Sequence, residues 1–145
     1  MGFQFSLETV LRVRGIVEER EERMLQQITF EISQTKERLA QIDAEITGLD
    51  AARRADVLKP SIGHNIHASY GELKALKQSR EDQRAKVEKL EQLRKRQVAV
   101  YEAAHRNREM LTDMHDEKRN AYESDMARRE QKTIDDNFIA RRGHC

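Results

Sequence analysis

The chain has 145 residues, with 27 Lys and Arg against 26 Asp and Glu, a formal net charge of +1, 37% charged residues and only 5% aromatics. That length holds about one domain, and so few bulky apolar side chains exclude the packed core of an ordinary globular enzyme. Balanced signs, abundant Glu, Lys, Arg, Gln, Leu and Ala, and a single Pro describe a long helix or a coiled coil instead. Apolar runs reach about four residues, too few to insert into a membrane. The N-terminus lacks the continuous apolar stretch of a signal peptide, because Arg12 and Arg14 interrupt the candidate region. Cys145 is alone, which forbids an internal disulfide and fits a reducing cytosol. The near-zero net charge gives no global attraction to nucleic acid or anionic lipid. A soluble, cytoplasmic, helical chain is expected.

The first helix is expected over about 6–56. Ser6 is a good N-cap, and Phe5 and Val10 have the spacing of a hydrophobic staple. Leu25, Ile28, Ile32, Thr35, Leu39, Ile42, Ile46 and Leu49 then follow alternate steps of three and four. This 3.5-residue repeat holds one narrow apolar stripe against a supercoiled partner helix. Upstream, the seam is expected to run through Val10, Val13 and Val17 and to reach Leu25 by two steps of four, via Glu21. The extra step of four is a stutter that unwinds the supercoil locally, and a polar Glu21 should weaken packing there.

A turn is expected over about 57–69, where Pro60 removes a backbone donor and Gly63 permits a bend. Ser69 and Glu72 have capping-box spacing, so a second helix is expected from about 70 to about 140, with Gly143 as its C-cap. Its seam reads Leu73, Leu76, Arg80, Gln83, Val87 and Leu90, then a mixed stretch through Leu93, Gln97, Val100, Tyr101, Ala104, Leu111 and Met114.

Two heptad helices around a short break predict an all-α fold: a long antiparallel two-helix coiled-coil hairpin in one domain, the second helix longer than the first. Folding about the break pairs residues whose numbers sum to about 125. Charge agrees with this pairing. Residues 1–56 carry 8 basic and 11 acidic side chains, and residues 57–115 carry 12 basic and 8 acidic, so facing helices attract. Residues 120–142 are left overhanging without an intramolecular partner. Such a segment is marginal as an isolated helix and suits either a frayed tail or a segment ordered inside a partner.

The chemistry-bearing residues do not assemble into a site by sequence. His64 and His67 are two imidazoles without the further ligands that structural zinc needs, and nothing near Cys145 suggests an activated thiol. No phosphate-binding or nucleophile-elbow motif occurs. The expectation is a non-enzyme without cofactor or metal. The basic stretch Arg84, Lys86, Lys89, Arg94, Lys95 and Arg96 is interrupted by Glu88 and Glu91 and has no stacking aromatics, so nucleic acid is not an expected partner.

Both ends of the sequence carry more than coiled-coil composition. Phe3, Phe5, Leu7, Val10, Leu11 and Arg14 at the N-terminus, and Glu130, Gln131, Lys132, Asp135, Asp136 and Arg141 near the C-terminus, resemble the FliJ family of flagellar export proteins. Tyr70 with Leu73, and Ala103 through Arg108 to Leu111, are similar to that family's middle. The resemblance implies a cytoplasmic component of the bacterial flagellar type III export apparatus, peripherally associated with the cell membrane through that apparatus. It further implies a stalk-like coiled coil that engages the hexameric export ATPase ring, couples it to the membrane export-gate protein, and escorts export chaperones. On this resemblance Arg12, Arg14, Arg128, Arg129 and Lys132 are expected at the ATPase ring, and Tyr70, Leu73 and Leu76 at the gate. Rival readings are a generic coiled-coil adaptor, the equivalent stalk of a virulence-type secretion system, and a prefoldin-like chaperone. The break leaves little room for the β-hairpins of a prefoldin.

Overall fold

The computed structural model describes the backbone of residues 2–57 and 63–143, and the side chains of residues 2–55 and 70–143. Pro60, His144 and Cys145 lie outside the described residues, as do the side chains of His64, His67 and Ser69. Two helices account for the fold, α1 over Glu8–Val57 and α2 over Gly63–Arg142. They pack against each other as the expected antiparallel hairpin, with the second helix longer. Among the described residues no strand occurs, and no helix is long and apolar enough to cross a membrane.

The contacts divide into two units: a turn unit, Glu21–Val100, and a terminal unit, the residues up to Arg20 with those from Tyr101 onward. The turn unit follows the heptad closely. Ile28, Ile32 and Ile46 of α1 and Leu73 and Leu90 of α2 are buried, and Ile28, Ile32 and Leu90 form one cluster. Leu25, Leu39, Ile42 and Leu49 are half-buried on the same stripe, with Leu76 and Val87 across from it. Each such side chain contributes about 1.5–3 kcal/mol when fully buried, so this narrow seam is the main cohesive element of the unit. Asp43 pairs with Arg80 at 3.7 Å and Lys36 with Glu91 at 3.4 Å, both close to a residue-number sum of about 125. Thr35, 3% exposed, satisfies its hydroxyl on the Glu31 carbonyl at 2.8 Å, so the heptad tolerates it.

The terminal unit departs from the expected register. Val17 is half-buried and Glu21 buried, as expected, but Val10 and Val13 are 42% and 49% exposed, and Leu7, Leu11, Gly15 and Glu18 turn inward instead. The two steps of four fall at Leu7, Leu11 and Gly15, N-terminal to the expected stutter. On α2 the seam runs through Tyr101, Ala104, Arg108, Leu111 and His115, leaving Met114 outside it. The physical reason is polar. Glu18 lies opposite Arg108, and the ion pair they form favours this seam over one that would bury Val10 and Val13.

Both helix starts also differ from expectation. α1 begins at Glu8, whose N–H donates to the Phe5 carbonyl at 3.1 Å. Phe5 is buried, but against the His115 ring at a centroid distance of 5.2 Å rather than in a staple with Val10. α2 begins at Gly63 rather than near residue 70, so the Ser69 backbone lies within the helix rather than at its start. Beyond Pro60 no residue removes a backbone donor, and helix can propagate from the first residue able to enter it. At the other end Gly143 donates to the Ile139 carbonyl at 3.0 Å, without a left-handed backbone.

Candidate partner-docking surfaces

In the terminal unit the inward face is unusually polar. Arg108 grips Glu18 with Nε donating to Oε2 at 2.5 Å and an Nη2 contact to Oε1 at 3.3 Å. His105 adds Nδ1 at 3.0 Å from Glu18 Oε1, its Nε2 lies 3.6 Å from Glu109, and Tyr101 stacks on its ring at 6.0 Å. The Arg108 guanidinium holds the Glu18 carboxyl below the ordinary carboxylate range; burial opposes this and His105 assists. Glu18 in turn raises Arg108. Opposite charge with hydrogen bonding outweighs desolvation at this half-buried position.

Before α1, the N-terminal segment is clasped by aromatic rings. Phe3 meets His115 edge-on at 5.4 Å and Tyr122 at 5.6 Å, and Phe5 meets His115 nearly perpendicularly. Such edge-to-face pairs add about 0.5–1.5 kcal/mol to their area burial. His115 also contacts Asp116 at 3.2 Å and Glu8 at 3.9 Å. The clasp covers α2 as far as Tyr122. From Glu123 to Arg142 the helix continues with every residue exposed, including Ile134, Phe138 and Ile139 at 60%, 61% and 67%.

All five basic residues expected at a partner ring are exposed. Among the described residues, Arg12, Arg14, Arg128, Arg129 and Lys132 form no ion pair of their own. They do not make one patch. Arg12 lies level with the neighbourhood of Asp113 on α2, and the run from there to Arg128 spans about 20 Å along the helix. Arg128 and Lys132 share a face as an i, i+4 pair, while Arg129 borders a shallow groove with Met126, Glu130, Thr133 and Ile134.

The three residues expected at a gate separate by burial. Leu73 is 5% exposed and belongs to the turn-unit seam, and Leu76 is half-buried beside it. Tyr70 is 55% exposed, with the Arg53 guanidinium 4.7 Å from its ring centroid. Tyr70, Leu73, Arg53, Lys74 and Lys77 line one open groove. Only Tyr70 therefore offers most of its side chain to a partner. Sequence reasoning did not find the Glu18–Arg108–His105 network. The available signal was the coincidence of acid on one stripe and base on the other at matching heights.

These surfaces define a helical scaffold whose chemistry is display and pairing; among the described residues no cluster suited to a metal occurs. Residues 3–144 match the family described as flagellar FliJ protein, and the chain belongs to that family. The family is a non-catalytic, cytoplasmic component of the flagellar export apparatus. No curated protein and no solved structure matches the chain.

Proposed function

We propose that this chain is the stalk-like coiled coil of the flagellar type III export apparatus, engaging the hexameric export ATPase ring through its terminal unit. The observation that carries this reading is the stretch from Glu123 to Arg142: helical, exposed on all sides, and studded with Ile134, Phe138 and Ile139 between blocks of alternating charge. A helix without a partner in its own chain gains nothing from packing, and its polar, mixed-charge surface suits a replaceable contact better than a permanent apolar one. Arg128, Arg129 and Lys132 contact the ring, and Arg12 and Arg14 form a second basic station on the same unit. In the turn unit, Tyr70 contacts the membrane export-gate protein, held in place by Leu73 and Leu76 beneath it. Peripheral association with the membrane, motility and an escort role toward export chaperones follow from this placement.

The test is co-purification with the export ATPase, with and without residues 120–145, together with ATPase stimulation by a folded variant reversed at Arg128, Arg129 and Lys132. Retention of binding by the truncated chain would refute the terminal contact. For the gate, a Tyr70→Ala variant that binds the gate protein as well as the parent chain removes that assignment.

A further inference from the structure

The start of α1 carries two stripes that compete for one seam. The stripe in use runs through Leu7, Leu11, Gly15 and Glu18, and it is poorly filled. A Cβ placed on the half-buried Gly15 meets nothing within 4 Å, so the seam is open at that height, and the next inward position is a carboxylate. The stripe left aside runs through Val10, Val13 and Val17, with Val10 and Val13 42% and 49% exposed and Val17 half-buried. Both stripes lead into the buried Glu21 and on to Leu25. They differ in the winding of α1 over the preceding turns, which a shifted stutter accommodates. The facing surface of α2 suits either one. Leu111 and Thr112 are half-buried there, and at a residue-number sum of about 125 Thr112 lies level with Val13 and Arg108 with Val17.

Polar groups choose between the stripes. Arg108 holds Glu18 through Nε and Nη2, and His105 Nδ1 lies 3.0 Å from the same carboxylate. Turning the valines inward carries Glu18 away from these partners and leaves the guanidinium unpaired, which is costly for a charged group. We propose that the start of α1 is a two-position element. The Glu18–Arg108 pair latches it with Leu7 and Leu11 inside, and taking the guanidinium from Glu18 turns it to bury Val10 and Val13 instead. The two positions present different surfaces: valines when latched, and Leu7, Leu11 and Glu18 when released. The Arg108 side chain is 29% exposed, so an acidic side chain of a partner can reach it. Such a partner shifts the setting by as much as it binds the released form more tightly.

The inference is independent of any ring contact, because it is read on the isolated full chain. In a Cys145→Ser background, Leu11→Cys and Val13→Cys report the two stripes through their rates of alkylation by a small maleimide. With the latch intact, Leu11→Cys is expected to react more slowly than Val13→Cys. Arg108→Leu leaves Glu18 without its cation and gives Val17 an apolar partner. The rate at Val13→Cys is then expected to fall and that at Leu11→Cys to rise, each by about fivefold. Glu18→Arg combined with Arg108→Glu re-forms the pair with its sign reversed and should restore the latched order. Helix content by circular dichroism is expected to stay unchanged. Should Arg108→Leu lose helix, Glu18→Lys breaks the same pair from the other side and is read by the same two rates. Rates that rise together on breaking the pair report loosened packing alone and overturn the proposal. So do rates that do not move, or a reversed pair that behaves as the broken one.

Discussion

The two units of this chain solve the same packing problem with different materials. In the turn unit, α1 and α2 meet through isoleucine and leucine at strict 3.5-residue spacing, with Ile28, Ile32 and Leu90 at its centre. Polar groups enter it too: Gln97 Nε2 donates to the Glu21 carboxylate at 2.6 Å and to the Glu21 carbonyl at 3.1 Å, Thr35 is buried, and Arg80 and Gln83 each bury a polar atom. In the terminal unit the corresponding positions hold Glu18, Arg108 and His105, with Phe3, Phe5 and His115 closing the end. Apolar layers give cohesion with little preference for angular setting. Ion pairs and ring contacts give less cohesion and demand one setting. The lesson is that the terminal unit is specified more sharply than it is stabilised.

The comparison can be broken most severely in the turn unit. Ile32→Ala, at 6% exposure, removes buried methyl groups from the cluster with Ile28 and Leu90. A loss of about 2–4 kcal/mol is expected, read as a lowered midpoint in thermal or urea unfolding. A loss below about 1 kcal/mol would mean that the seam is not the main source of cohesion.

Next in size is the polar network. Glu18→Ala leaves Arg108 half-buried without its carboxylate and should cost about 1–3 kcal/mol. A double-mutant cycle with Arg108→Ala should return most of that cost as coupling. The pH dependence has a defined sign. Glu18 has a folded-state pKa below its unfolded one, so its contribution is complete above the unfolded carboxylate range, near pH ~4.3. It is lost as pH falls through the folded value. Glu18→Gln should therefore lose less stability than the parent chain between about pH 5 and about pH 3.

Phe3→Ala opens the aromatic clasp at a cost of about 1 kcal/mol. The effect is local: faster hydrogen exchange in the first turns of α1, with exchange around Ile32 unchanged. Gly48→Ala has the opposite sign. A Cβ there meets nothing within 4 Å, and an alanine inside a helix should add about 0.5–1 kcal/mol. The smallest effect belongs to Lys36→Ala. Its pair with Glu91 is 59% and 36% exposed, so the change should stay within about 0.5 kcal/mol and vanish in high salt.

How much was legible in advance follows the same division. The seam from Leu25 to Leu49 was readable because every member but Thr35 is apolar, and hydrophobic period reports the buried face directly. The terminal seam was not readable by that rule. Val10 and Val13 continue the apolar stripe from Val17, yet they are exposed, and Leu11, Gly15 and Glu18 turn inward beside the half-buried Val17. Periodicity ranks stripes by hydrophobicity and is blind to a carboxylate that finds a guanidinium across the seam. The candidate sites show a similar limit. Exposure of the five basic residues matches what their charge suggests, whereas the burial of Leu73 and the stacking of Arg53 on Tyr70 depend on the facing helix.

The order of residues by itself determined that this chain is two helices, that they run antiparallel, and that residues summing to about 125 lie level. Those properties follow from helix propensity, one proline-containing break and the placement of charge, all of which act locally or through length. Only the tertiary structure decided how α1 is rotated near its start, where α2 begins, and which polar groups enter the seam. Rotation of a helix about its own axis changes no local energy. It is settled by the partner side chains it meets, and here Glu18 meeting Arg108 and Phe5 meeting His115 settle it.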